Sequence, residues 1–148
     1  MAFDWVYEDL RGERRPAIVG PDLAPVTPVQ VLGRPGVTVT GSGNYKGQEG
    51  TITKPAVDGL KAVEIKFGNS RGGESLQDTE ATVAFTGTIA GPVTGATSST
   101  AQGTLVYLTS SKTLTLTAGS NTKFGVVQFF RGEKSATDTA VTFGVNLG

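Results

Sequence analysis

Any chemistry in this 148-residue chain must be built from 13 carboxylates, 13 Lys and Arg side chains and the hydroxyls, because histidine and cysteine are both missing. Without histidine, the commonest general base and metal ligand is gone. Without cysteine there are no disulfides and no thiolate metal sites. A Ser or Thr nucleophile would have only Lys or a carboxylate to activate it, which argues against a serine hydrolase. Paired carboxylates can hydrolyse glycosides without histidine. Here the acids lie in expected loops, on polar strand faces, or at Asp4, Glu8, Asp9 and Glu13 beside Arg11, Arg14 and Arg15. Nothing in their order forces two of them together; Glu49 and Glu74 would be the residues to test. No dense Asp/Asn/Gly ligand loop for calcium occurs. The stretch Gly41-Ser-Gly-Asn-Tyr-Lys-Gly47 is glycine-rich, but a phosphate cradle needs a helix N-terminus after it, and a strand candidate follows. The sequence therefore predicts no enzyme, no cofactor and no metal.

Partners are bounded by charge. The formal net charge is zero, so there is no basic footprint for nucleic acid. No apolar run approaches the roughly 18–20 residues that span a bilayer, and no membrane association is expected. The start, MAFDWVYEDL, is acidic where an export signal would be basic and then apolar, so no cleaved signal is expected.

The elements that must carry these side chains read as strands. Charged residues are only 18% of the chain and Gly numbers 21; with its many Thr, this composition favours short strands and turns over helices. Residues 1–78 hold 19 of the 26 charged residues and six of the seven prolines, which places a boundary near Asp78. Residues 1–36, with Pro16, Pro21, Pro25, Pro28 and Pro35, read as an extended arm, since proline fixes φ and removes a ladder donor. Residues 37–78 read as a β-rich lobe with strands at Val37–Thr40, Thr51–Thr53 and Ala62–Phe67. Residues 79–148 alternate regularly at Thr82–Phe85, Gly103–Leu108, Thr113–Thr117, Phe124–Phe130 and Val141–Leu147, which predicts a small antiparallel barrel or sandwich. A short helical turn fits Thr94–Ala101.

The arm carries the interaction candidates. Phe3, Trp5 and Tyr7 are aromatic, and aromatic and Arg side chains anchor protein interfaces. With Val6, Leu10, Arg11, Arg14, Arg15, Ile18, Val19, Leu23 and Val26 they form a stretch suited to a neighbouring protein; the competing reading is that Trp5 plugs the end of its own barrel. A carbohydrate-binding or adhesin module would instead use Tyr45, Trp5 or Tyr107 as stacking platforms, although only 7% of the chain is aromatic.

The order of motifs from Thr79 to Gly148 resembles the β-tulip domain of capsid cement proteins of tailed bacteriophages, the group of the lambda-type head decoration protein. Phe85-Thr-Gly-Thr-Ile-Ala-Gly-Pro-Val-Thr-Gly-Ala-Thr97 carries it, followed by Gly103-Thr-Leu-Val-Tyr-Leu108, Leu114-Thr-Leu-Thr-Ala118, Thr122-Lys-Phe-Gly-Val-Val127 and Val141-Thr-Phe-Gly-Val-Asn-Leu-Gly148. About half the chain is covered. The resemblance implies a virion protein on the outer capsid surface, binding the major capsid protein and itself, commonly as a homotrimer. On that reading Met1–Leu32 makes the capsid and inter-subunit contacts, and removal of residues 1–15 would abolish shell binding while leaving the β domain folded.

Overall fold

The computed structural model describes residues 3–43 and 45, the strand backbone of 50–54 and 63–67, and residues 78–131 and 137–147. All regular elements in them are strands: β1 (Asp4–Glu8), β2 (Arg14–Ile18), β3 (Pro28–Val31), β4 (Arg34–Thr38), β5 (Gly50–Lys54), β6 (Val63–Phe67), β7 (Glu80–Ala84), β8 (Gly87–Gly91), β9 (Val93–Thr94), β10 (Leu105–Leu108), β11 (Leu114–Thr115), β12 (Thr122–Phe130) and β13 (Thr139–Phe143). The chain is all-β. A seven-stranded sheet runs β1-β8-β13-β12-β10-β11-β9, a four-stranded sheet runs β2-β7-β4-β3, and β5 pairs with β6.

The large sheet curls into a half-barrel, and its connectivity requires this. Strands β8 and β9 stand second and last in the order, yet only Pro92 separates Gly91 from Val93. The sheet must bend back on itself to bring those positions together. Three register shifts help, because a bulge bends its strand and adds twist. They leave one extra residue at Val6 opposite β8, at Phe124 opposite β10 and at Gln128 opposite β13. Between the two shifts on β12, Gly125 lies so close to the Thr142 carbonyl that a Cβ would collide with it.

Strands from 1–36, 37–78 and 79–148 are interleaved. β1 pairs with β8, while β2 and β4 both pair with β7. The main core joins Phe3 and Val37 to Ile89, Val93, Val106, Leu114, Phe124, Val127, Val141 and Phe143. Strands from before and after Asp78 thus share the two larger sheets, while β5 and β6 pair with each other. A smaller cluster forms around Val29, Val83 and Phe85, with Ala17, Val19, Leu23 and Val31 packed against it.

Prolines obey the ladder rule while sitting inside strands. Pro16 and Pro28 lie on the edge strands β2 and β3. Pro35 lies on inner β4 but faces only Gln30, because pairing of β4 with β7 starts at Val37. Two strand-scale expectations change. The last strand stops at Phe143, because Gly144 adopts φ +79° against the Phe85 carbonyl, leaving Val145 exposed. Thr94–Ala101 forms no helical turn: β9 ends, Gly95 turns at φ +89°, and the Thr97 and Thr100 hydroxyls take backbone amides. Such local bonds compete with helix.

The segment between β2 and β3 is tied down by two buried hydroxyls. Ser42 Oγ donates to the Gly20 carbonyl at 2.6 Å and accepts from Leu23 N–H at 3.0 Å. Thr38 Oγ1 accepts from Thr27 N–H at 2.8 Å and donates to the Ala24 carbonyl at 2.9 Å. The Thr38 backbone also accepts from Val26 N–H at 2.7 Å. These bonds hold Val26 at φ 59°, a conformation β-branched residues avoid, with its side chain against the main core. Thr38→Val keeps the shape but leaves the Thr27 amide unpaired and the Ala24 carbonyl with only its bond from Thr27 Oγ1 at 2.7 Å. It should lower stability by about 1–3 kcal/mol, read as a lower urea midpoint at constant slope; an unchanged midpoint would mean Thr38 does not hold this turn.

Candidate interaction surface

The first strand divides its side chains between core and solvent. Phe3 is 7% exposed and belongs to the main core. It lies over Gly91, where a Cβ would be 2.5 Å from its ring. Trp5 is half-buried, with its ring centroid 6.1 Å from that of Phe143, which in turn is 5.5 Å from Phe124. Past the bulge the strand changes character: Val6, Tyr7 and Leu10 are exposed, at 37%, 61% and 78%. Asp4 meets Arg131 at 3.6 Å, across the intervening strands β8 and β13.

Between Asp9 and Glu13 the chain crosses from the large sheet to the small one, beside the Phe85–Thr86 crossing that links β7 to β8. Phe85 N–H donates to the Glu13 carbonyl at 3.1 Å, and Thr86 Oγ1 donates to Asp9 Oδ2 at 3.1 Å. Gly12 passes so close to Thr86 Oγ1 that any side chain would collide. Arg11 is exposed; its backbone amide donates to Asp9 Oδ1. Arg14 is half-buried and reaches Glu8 at 2.8 Å, while its Nε has no hydrogen-bond partner.

On the small sheet, Glu13 is shared by two guanidinium groups, Arg15 at 3.0 Å and Arg34 at 2.5 Å. Both lie over the buried Phe85 ring, with Arg34 4.3 Å and Arg15 5.9 Å from its centroid. An open groove of about 400 Å³ runs past them between Pro16, Ala17 and Ile18 on one side and Gln30, Val31 and Leu32 on the other. Ile18 is 64% exposed and Leu32 96%. Two further grooves lie along the β10–β11 turn: one of about 510 Å³ walled by Phe3, Pro25, Val26 and Pro92, one of about 330 Å³ beside Val19 and Leu108.

The expected interaction residues therefore separate. Phe3, Trp5, Val19, Leu23 and Val26 pack against this chain's own clusters, which is the barrel-plug alternative for Trp5. Val6, Tyr7, Leu10, Arg11, Arg15 and Ile18 stay exposed, and Arg14 lies between. Because Phe3 lies in the core, the expectation that the β domain stays folded without residues 1–15 is corrected: the cut would take out both β1 and the start of β2.

Sequence reasoning singled out neither Arg34 nor Phe85 as a contact residue, and took in Leu32 only as the end of the Met1–Leu32 stretch. A signal existed for Leu32: Val31 pairs with Arg34 around a two-residue turn, and Leu32 and Gly33 have φ 49° and 81°. A hairpin turn with both central φ positive favours Asn-Gly, and Leu is out of place there.

Among the described residues no carboxylate lines any of the three grooves. Among the described residues no group of three or more His, Cys, Asp or Glu could hold a metal ion, and no helix is long and apolar enough to cross a membrane. Trp5 and Tyr107 lie on separate strands, and Tyr45 packs on Gly41. Glu49, Glu74, most of the glycine-rich loop after Gly43 and a Gly-x-Ser-x-Gly spacing at Gly68–Gly72 fall outside the described residues.

Two outcomes follow. Phe3→Ala should cost about 3–5 kcal/mol, as for buried aromatics generally, whereas Leu10→Ala should change stability by less than about 0.5 kcal/mol; thermal unfolding of the pair separates anchor from surface. The hydrogen bond from Arg34, aided by the charge of Arg15, holds the Glu13 carboxyl below its ordinary value of 4.5 against partial desolvation. Since the folded value is depressed, the stabilisation is full above the ordinary value and is lost as pH falls through the folded one. The gap in melting temperature between the parent and Glu13→Gln should thus close in acid and shrink with salt; a gap independent of pH would discount the pairing. No protein-family model, curated protein or solved structure matches this chain.

Proposed function

We propose that this chain is a structural cement protein that binds the outer surface of a phage head and ties neighbouring copies of the major capsid protein together, acting as a homotrimer. One observation supports it above the others. Of the seven large apolar side chains exposed among the described residues, five (Val6, Tyr7, Leu10, Ile18 and Leu32) fall in the first 32 positions. They sit on an anchored framework, so docking would order few side chains and would cost little entropy.

Bridging needs buried contact repeated by symmetry and no bond-making step. A half-barrel around one core is stiff enough to pass load from one contact to the next, since close-packed interiors resist compression. Exposed apolar side chains interleaved with Arg and acids fit the anatomy of an interface, with apolar contacts giving affinity and charges giving register. The resemblance in motif order over residues 79–148 supplies the identity of the partner.

The test is co-sedimentation with empty capsids. Leu10→Asp and Ile18→Asp sit at exposed positions and should leave the melting temperature nearly unchanged while weakening capsid binding at least tenfold. Binding at parental strength by the double variant would remove this surface from the account.

A further inference from the structure

Arg15 and Arg34 converge on a single atom. Both guanidinium groups reach Glu13 Oε2, so two cationic nitrogens stand no further apart than two hydrogen-bond lengths. Both groups also lie over the Phe85 ring, which keeps them there. One carboxylate thus gathers two like charges, and a second anion would relieve their repulsion. We propose that the groove of the small sheet seats a carboxylate-bearing apolar segment of a partner protein. Its carboxylate would pair with Arg15 and Arg34, and its flanking side chains would lie against Ile18 and Leu32. This rests on the proposed capsid role and names the chemistry of the capsid element that docks there.

The surplus charge faces the groove. Arg15 and Arg34 both line it and are about half exposed, whereas Glu13 does not line it. Other acids nearby are engaged elsewhere. Asp4 pairs with Arg131 and Glu8 with Arg14, while Asp9 accepts from the Thr86 hydroxyl and the Arg11 amide. Among the described residues Glu13 is the one carboxylate that Arg15 and Arg34 pair with, so the groove side of the two guanidinium groups is left to a partner.

Charge, lining and shape together select this occupant. A guanidinium group is planar and takes a carboxylate through two parallel hydrogen bonds. Arginines already held on a ring have little freedom left to lose when they do so. The walls around them, Pro16, Ala17, Ile18, Val31 and Leu32, are apolar, with one amide from Gln30. A hydrated inorganic anion gains nothing from such walls, while a carboxylate between apolar side chains uses both parts. The groove is open, and its rim residues Ile18 and Leu32 face solvent. Small ligands bind where most of their surface can be covered. An open groove fits a segment that arrives on a larger surface and covers the rim as well.

Titration of the purified chain with the peptide acetyl-Val-Leu-Asp-Leu-Val-amide tests the seat without capsids, read by the NMR shifts of the Phe85 ring and the arginine side-chain N–H groups. The Asp peptide should bind at least tenfold more tightly than its Asn counterpart, and less tightly as salt rises from about 0.05 M to about 0.5 M. Glu13→Gln removes the competing carboxylate, so it should tighten binding at least threefold even as it lowers the melting temperature at neutral pH. Ion pairs that serve the fold alone predict no such gain. Arg15→Gln combined with Arg34→Gln should abolish binding with the fold intact by circular dichroism. Failure of the Asp peptide to bind, equal binding of the two peptides, or no gain in Glu13→Gln overturns the inference. Parental co-sedimentation of the double arginine variant with empty capsids also overturns it and leaves the capsid reading standing. A chain that takes the Asp peptide but ignores capsids sinks the capsid reading and keeps this seat.

Discussion

The pairing of β1 with β8 is the constraint on which the rest depends. It brings Phe3 over Gly91 and Trp5 against Phe143, closing one side of the main core with the beginning of the chain. It also fixes where the chain must cross to the small sheet, because β8 is joined to β7 by the two residues Phe85 and Thr86. Once β1 lies on β8, Asp9–Glu13 has to run beside that crossing, and β2 has to fall on β7. The close passage of Gly12 by Thr86 and the bond from Phe85 N–H to Glu13 fix that crossing.

The division of labour along the first 32 residues follows from this anchoring. Alternation alone would put Trp5 and Tyr7 on the same face, but the extra residue at Val6 breaks the alternation between them. Trp5 turns inward and Tyr7 is left in water. A bulge therefore converts one aromatic pair into an anchor and a contact residue. The small sheet does the equivalent with Phe85, which is buried by its cluster and roofed by Arg34 and Arg15. Arginine serves there because its planar group can stack on a ring and pair with a carboxylate at once.

Much of the strand content was legible, because alternation at Thr82–Phe85 and over the first part of Val141–Leu147 reports a half-buried sheet directly. The arm was harder to read. Its prolines correctly argued against helix, but an edge strand tolerates proline, and edge position is a property of the assembled sheet that no local pattern encodes. The burial of Phe3 was hidden for a like reason: its partner Gly91 is 88 positions away, and a glycine marks close approach without saying what approaches. Leu32-Gly33 shows the opposite case. The turn was readable from two residues, but its unusual leucine gained meaning only when the groove beneath it was seen.

The separation between Trp5 and its partner Ile89, 84 positions, also bears on how this molecule is made. A ribosome releases the anchoring aromatics long before the strand that receives them. The core cannot shut until the second half of the chain has emerged, and local structure can do little to hasten it. Proteins dominated by such distant pairings fold on the order of milliseconds to seconds. Until then Phe3 and Trp5 are exposed grease on the nascent chain. Slow closure and uncovered aromatics together make the newborn protein a client for whatever shields apolar segments during synthesis.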